Sequence, residues 1–398
     1  MASRAAPPDF LTPSHDALVT VLSILSEREH LRRTLATEGR SGCRVRIRGR
    51  GEPADGGADE DCDGWFSCAA GTTRENMGKN RYGDIIAYDR TRCLPPFQTT
   101  ASSDEANYVN ASLVREPDLG FDEEDVPRRW WVAAQAPIPP TVHDFLSLLL
   151  TPPSSLTHQS RSTPSQLPLI NLIVQLTPLI EGRRQKCHPY FPTSVGETAR
   201  IASSGGVVGE GVWVRLEGKE EKDGARESAL RVGKEGDGEG RKVVHLEYLG
   251  WRDHGVPEDA SHLVRFILRV HALNAFLSQP SSRTPSPILL HCSAGVGRTG
   301  TFIAISSLLP LLSYLARQPS LCSLPTPPSD PSHPLGAYPA HRTLLTPTSH
   351  FREREQHIDY VGATIDGLRD QRTTMCQTNE QVAWVWQALR EAWQEKLY

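Results

Sequence analysis

A cysteine and an arginine separated by five small residues, Cys292-Ser293-Ala294-Gly295-Val296-Gly297-Arg298, form the stretch of this 398-residue chain best suited to chemistry. An apolar, strand-like run, Leu289-Leu290-His291, leads into it, and Thr299-Gly300 opens a long apolar helix. Small residues let successive backbone N–H groups point inward at one oxyanion, and a helix N-terminus adds its positive end. Gly295 and Gly297 supply the backbone freedom such a ring demands. The same field that favours a phosphate favours a thiolate, so Cys292 is expected to be nucleophilic at neutral pH. Arg298 offers a permanently charged, planar fork to a phosphoryl group. Thr299 is placed to hydrogen-bond the sulfur. His291 precedes the nucleophile and should point to the strand's other face, so it is expected to hold the loop rather than transfer a proton. Most lone cysteines are small buried hydrophobes; the spacing argues against that here.

Other elements must bring the remaining groups to this loop. Val243–Leu249 alternates as a strand and delivers Gly250-Trp251-Arg252-Asp253-His254-Gly255-Val256-Pro257, where a carboxylate on a loop bounded by Trp, Gly and Pro reads as a movable acid. Asn171–Leu176 is a buried strand leading to Glu181-Gly182-Arg183-Arg184-Gln185-Lys186. Ser261–Ser278 is amphipathic, with Leu263, Phe266, Ile267, Val270, Leu273 and Phe276 on one face. Helices are expected between Phe10 and Arg40, capped by Ser14 or Asp16, and from Val382 to Lys396. Gln377 and Gln381, one helical turn apart, should share a face.

His-Cys-Ser-Ala-Gly-x-Gly-Arg-Thr-Gly resembles the phosphate-binding loop of the protein tyrosine phosphatases. Lys79-Asn80-Arg81-Tyr82-Gly83-Asp84 is similar to that family's substrate-recognition loop. The resemblance implies that Tyr82 walls a pocket deep enough for phosphotyrosine and too deep for phosphoserine, and that Asp84 accepts backbone N–H bonds from substrate. Gly83 stands where a larger, often charged residue is usual, which argues against a preference for acidic flanking residues. Asn107–Ser112 and Trp130–Pro137 look like the family's scaffold strands, with Ala136 in place of a glycine. Glu181 would pair with Arg298 and hold its guanidinium, with Lys186 near the acid loop. Trp251-Arg252-Asp253 resembles the Trp-Pro-Asp loop, which makes Asp253 the general acid; Arg252 in place of proline is expected to slow closure without abolishing catalysis. Gln377 would position the hydrolytic water and Gln381 help to hold it.

Six stretches follow in the family's order from about Phe10 to Leu397. They imply one α/β domain over 10–398 behind a disordered tail at 1–9: a highly twisted mixed sheet flanked by helices, with the site at a strand-to-helix turn at one edge of the sheet. Insertions are expected at about 41–71, 151–168, 193–240 and 317–350, the last a solvated, proline-rich linker with pairs that could dock a partner. The implied reaction is hydrolysis of phosphotyrosine in proteins through a cysteinyl-phosphate, the loop amides of Ser293 to Gly297 and Arg298 holding the phosphoryl oxygens. The alternatives are a slow phosphotyrosine-binding scaffold and a dual-specificity enzyme.

Composition bounds the rest. A net charge of −4 gives no basic excess for nucleic acid, and no metal-type cluster or cofactor fingerprint is visible. The N-terminal residues lack the apolar run of a secretory signal, and Thr301–Ala316, interrupted by Pro310, reads as a buried helix rather than a membrane span. Eight cysteines at irregular spacings suit a reducing compartment, hence a cytoplasmic, and possible nuclear, non-receptor member of the family.

Overall fold

The computed structural model describes residues 6–38, 64–95, 108–155, 167–203, 210–251, 255–278, 284–318, 324–340 and 358–398. At its centre is β10 (Ile288–His291), four residues buried on both faces. The strand alternates as β geometry requires. Ile288 and Leu290 join one apolar core and Leu289 the other. Parallel neighbours flank it: β2 (Trp130–Ala134) on one side and β3 (Leu172–Gln175) on the other. β1 (Ala111–Arg115) closes the sheet antiparallel to β2, while β9 (Arg241–Tyr248) pairs parallel to β3. With β6 (Thr198–Ile201), β7 (Val212–Lys222) and β8 (Ala225–Lys234), the eight-stranded order is β1-β2-β10-β3-β9-β8-β7-β6, so the cysteine strand lies inside the sheet and not at its edge. An interior strand has helices available over both faces, which is what a continuous apolar run needs.

One face is covered by α5 (Ala260–Leu277), α6 (Gly297–Arg317) and α8 (Asn379–Glu395), which contribute Ile267, Phe302 and Leu389 to the larger core. α4 (Val142–Ser147) covers the other face through Phe145. By length and composition α6 could cross a membrane, yet most of it is buried in this core. α1 (His15–Glu38) starts where Ser14 Oγ accepts the Ala17 N–H at 3.1 Å. It docks on α7 (Tyr360–Arg369) through charge: Arg28 and Arg32 donate to Asp366, and Arg32 also reaches Asp370.

Two expected insertions are more ordered than their compositions suggest, and a third forms the hairpin strands that its runs at Gly211–Leu216 and Ala229–Val232 read as. Residues 193–240 supply β6, β7 and β8 to the main sheet. Their outward residues are charged and their turns glycine-rich, but Val212, Val214, Leu216, Leu230 and Val232 face the core. The proline-rich range is not a solvated linker over 324–340. Tyr360 donates to Pro325 O at 2.6 Å, Arg28 to Leu335 O and Gly336 O at 3.0 Å, and Tyr338 to Asp359 at 2.7 Å. Order also begins before Gly71, since Phe66, Cys68 and Ala70 are buried. Prolines and glycines hide periodicity, while a few long-range contacts fix the chain.

Candidate active site

Cys292 leaves the end of β10 and the loop returns into α6. It is 4% exposed, and its sulfur accepts the Gly295 N–H at 3.2 Å. Gly295 has φ +72°, and a Cβ there would meet Ala134 O at 2.1 Å, so only glycine fits this turn. The loop's carbonyls are tied away from the sulfur. Ser293 O accepts from Ala136 N at 3.0 Å, and the fully buried Arg372 donates Nε to Gly295 O at 2.8 Å and Nη2 to Ala294 O at 3.1 Å. With carbonyls held on one side, the loop amides are left to the other. Val296 O accepts from Gly300 N at 2.8 Å, the first turn of α6. Arg372 is rooted in Asn110 Oδ1 and Ser112 Oγ on the scaffold strands, at 2.8 and 3.2 Å.

His291 faces the second core, as expected. Its Nδ1 lies 3.2 Å from Cys292 O and its Nε2 3.0 Å from the Tyr190 hydroxyl. Burial pushes its pKa down to about 4, so the ring is neutral at pH 7. A carbonyl can only accept, which places the single N–H on Nδ1, and the Tyr190 hydroxyl lies between Nε2 and Gln175 Oε1, the latter at 3.1 Å. The ring therefore fixes the Cys292 carbonyl.

Arg298, in the first turn of α6, donates Nη1 to Leu176 O at 3.1 Å and to Glu181. Glu181 also accepts from Thr177 at 3.1 Å and lies 3.8 Å from Lys186 Nζ. Burial alone would raise this carboxyl, but the hydrogen bond and charge of Arg298, with Thr177 and Lys186, bring it below the usual range. Glu181 is thus an anion that holds the guanidinium by one nitrogen. Nε and Nη2 make no hydrogen bond among the described residues and remain for a ligand. The guanidinium also sits 6.0 Å from the Trp251 ring centroid.

Three segments meet at Ser293. Its hydroxyl donates to Lys186 O at 2.9 Å, so the Tyr82 hydroxyl, also at 2.9 Å, is the donor to Ser293. This bond sets the Tyr82 ring beside the loop. Asp84 is exposed. Arg81, which the sequence did not single out, binds Ala136 O, Pro137 O and Gln185 O at 3.1, 2.7 and 3.3 Å. Trp251 is buried and donates to Gly255 O at 3.3 Å, fastening the two flanks of the expected acid loop to each other. Arg252, Asp253 and His254 lie outside the described residues.

Two details differ from expectation. The Thr299 hydroxyl is buried, has no hydrogen-bond partner among the described residues and does not reach the sulfur. Gln377 and Gln381 share no helix face, because α8 begins at Asn379 with Thr378 as its N-cap. Thr378 Oγ1 accepts from Gln381 N at 3.1 Å, and Gln381 Oε1 accepts from Thr378 N at 3.4 Å, a capping box. The two amides converge instead over Gly297, where a Cβ would lie 3.1 Å from Gln381 and 3.4 Å from Gln377. The Thr-x-x-Gln signature was legible, and Arg81 lies in the matched recognition loop without a role of its own being read for it; Tyr190 and Arg372 had no sequence signal, since nothing marks which cation or phenol will be buried. Among the described residues no cluster of acid, cysteine and histidine side chains is arranged to hold a metal ion.

A model of the protein-tyrosine phosphatase family matches residues 76–156 and 168–322, which include Tyr82, Glu181, Cys292 and Arg298. The chain is 36% identical over 235 residues to the human receptor-type tyrosine-protein phosphatase C, covering 59% of this chain and 15% of that protein. It is 30% identical over 246 residues to the mouse tyrosine-protein phosphatase non-receptor type 13, covering 62% and 8%. Over 249 residues it is 31% identical to tyrosine-protein phosphatase 3 of Dictyostelium discoideum, covering 62% and 21%. The chain thus corresponds to a small part of the length of each of these relatives. With a cysteine sulfur that accepts the Gly295 amide, an arginine held by one nitrogen and a family match over more than half of its length, the chain belongs to the protein-tyrosine phosphatase family.

Proposed function

We propose that this chain hydrolyses phosphotyrosine in proteins by two displacements at phosphorus. The observation that carries the reading is the pairing of Cys292 Sγ, on the floor of the loop, with an Arg298 whose Nε and Nη2 make no hydrogen bond among the described residues. In the first step Cys292 thiolate attacks phosphorus and the tyrosine oxygen leaves, taking a proton from Asp253. Loop N–H groups and Arg298 hold the three remaining phosphoryl oxygens as charge develops on them. In the second step a water placed by Gln377 attacks the cysteinyl-phosphate, Asp253 accepts its proton, and phosphate and the thiolate are released. The wall fixed by the Tyr82–Ser293 bond sets pocket depth in favour of the longer phosphotyrosine over phosphoserine or phosphothreonine. No step requires a metal.

The test is turnover of a phosphotyrosine peptide against a matched phosphothreonine peptide in EDTA, for the natural sequence, Cys292→Ser and Asp253→Ala. Turnover of phosphotyrosine alone is expected, abolished by the first change and slowed by the second about 10²- to 10⁴-fold, the usual contribution of a general acid. Tight binding with negligible turnover in the natural sequence would make this a binding scaffold, and equal use of both peptides a dual-specificity enzyme. A reducing compartment such as the cytoplasm is proposed as its setting, on the support of five described cysteines, Cys292 among them, that form no disulfide among the described residues. Partner docking through the proline-rich range falls, within 324–340, on the exposed run 328–332, since its flanks are bound to the fold.

A further inference from the structure

The short antiparallel pair β4 (Ile180–Glu181) and β5 (Arg184–Gln185) forms a hairpin whose turn is Gly182-Arg183. Both ends are attached to the site. Glu181 binds Arg298, Lys186 O accepts from Ser293, and Gln185 O accepts from Arg81. Glu181 and Arg184 are directly opposite in register, so both side chains leave the same face of the hairpin, the face that carries Glu181 to Arg298. Arg184 lies two residues before Lys186, about 7 Å of strand from the carbonyl that Ser293 grips.

The charge at this rim is unbalanced. Glu181 is already saturated by Arg298, Thr177 and Lys186. Lys79 and Arg81 of the Tyr82 loop turn onto backbone carbonyls, and Gly83 brings no side chain. Arg183 and Arg184 are exposed and make no ion pair or hydrogen bond among the described residues. A protein of net charge −4 thus presents two cations, unpaired among the described residues, on a hairpin tied through Lys186 O to the Ser293 hydroxyl next to Cys292.

We propose that Arg183 and Arg184 are specificity-determining residues that select phosphotyrosine peptides with Asp or Glu within about three residues of the phosphotyrosine. An extended peptide advances about 3.3 Å per residue, so acids that near come within reach of an arginine side chain on the hairpin. The recognition moves from the Tyr82 loop, where Gly83 cannot perform it, to the hairpin. This inference rests on the phosphotyrosine reading above.

The experiment compares two phosphotyrosine peptides of equal length, one flanked by Glu and one by Ala. It measures kcat/KM with the natural protein and Kd with Cys292→Ser, each at low and high salt. The expected ratio favours the acidic peptide by about three- to tenfold at low salt, as two exposed ion pairs allow, and shrinks as salt rises. The double change Arg183→Glu with Arg184→Glu is expected to invert the ratio; because two peptides are compared on one protein, a change in basal rate cancels. A ratio near one in the natural protein, or one unmoved by the charge reversal, overturns the proposal. Turnover absent for both peptides while the Kd ratio persists overturns hydrolysis and supports the selection; loss of both turnover and binding overturns both.

Discussion

Arg298 and Arg372 carry the same charge against the same loop and act in opposite directions. Arg372 is sealed beneath it, where its guanidinium pulls the Gly295 and Ala294 carbonyls down and so turns amides upward. Arg298 is held by one nitrogen, with the others open to a ligand. Geometry follows from which donors are occupied. Replacing Arg298 by lysine keeps the charge but removes the planar fork. We expect Arg298→Lys to lower kcat/KM on a phosphotyrosine peptide by about 10²- to 10³-fold, the usual loss for one transition-state donor. Steady-state kinetics at pH 7 checks this, and a loss below about fivefold would mean that charge alone suffices.

At the scale of elements, the site depends on where helices begin. α6 starts at Gly297, which brings Arg298 into its first turn, and α8 starts at Asn379, which brings Gln381 to the capping position and leaves Gln377 before the cap. The capping box therefore positions the two glutamines. Thr378→Ala removes the acceptor for Gln381 N and should destabilise the protein by about 1 kcal/mol, read from urea unfolding. Hydrolysis of the cysteinyl-phosphate should slow more than its formation, so rapid-mixing experiments should show a burst of released tyrosine product. Equal slowing of both steps would separate the cap from the water site.

Over the whole molecule, burial of neutral imidazoles ties stability to pH. His291 is pushed to about 4 by burial, and His245 to about 3 by burial together with repulsion from His291 and Arg226. An unfolded histidine titrates near 6.5, so as pH falls below that value the unfolded chain binds protons that the native one refuses. Their stabilisation is complete above about 6.5 and is lost progressively towards the folded values, each at up to about 1.4 kcal/mol per pH unit. Urea midpoints should fall between about pH 6.5 and 4.5, and His245→Gln should flatten the slope. A midpoint constant over that window would show that neither ring resists protonation. The charged seam of Arg28 and Arg32 with Asp366 and Asp370 ties α1 to α7, and Arg369 continues it to the carbonyls of Met375 and Cys376 just before Gln377. The first helix is thereby linked to the segment that carries Gln377.

The local chemistry was determined by the sequence itself. Cys292, Gly295 and Arg298 do their work within one strand-to-helix turn, where spacing along the chain is spacing in space. The Glu181–Arg298 pair and the Tyr82 wall followed from matching segments to a known order. Burial and long-range contact were decided only by the tertiary structure. Nothing in the string of residues shows that Arg372 is sealed under the loop, that the Thr299 hydroxyl misses the sulfur, or that the cysteine strand has a parallel neighbour on each side. The proline-rich residues 324–340 read as an excursion because their periodicity is weak, yet a handful of carbonyls bind them to the fold, and the hairpin legible within 193–240 joins the main sheet through inward-facing valines. A side chain's environment is set by partners hundreds of residues away, and those partners exist only once the chain has closed on itself.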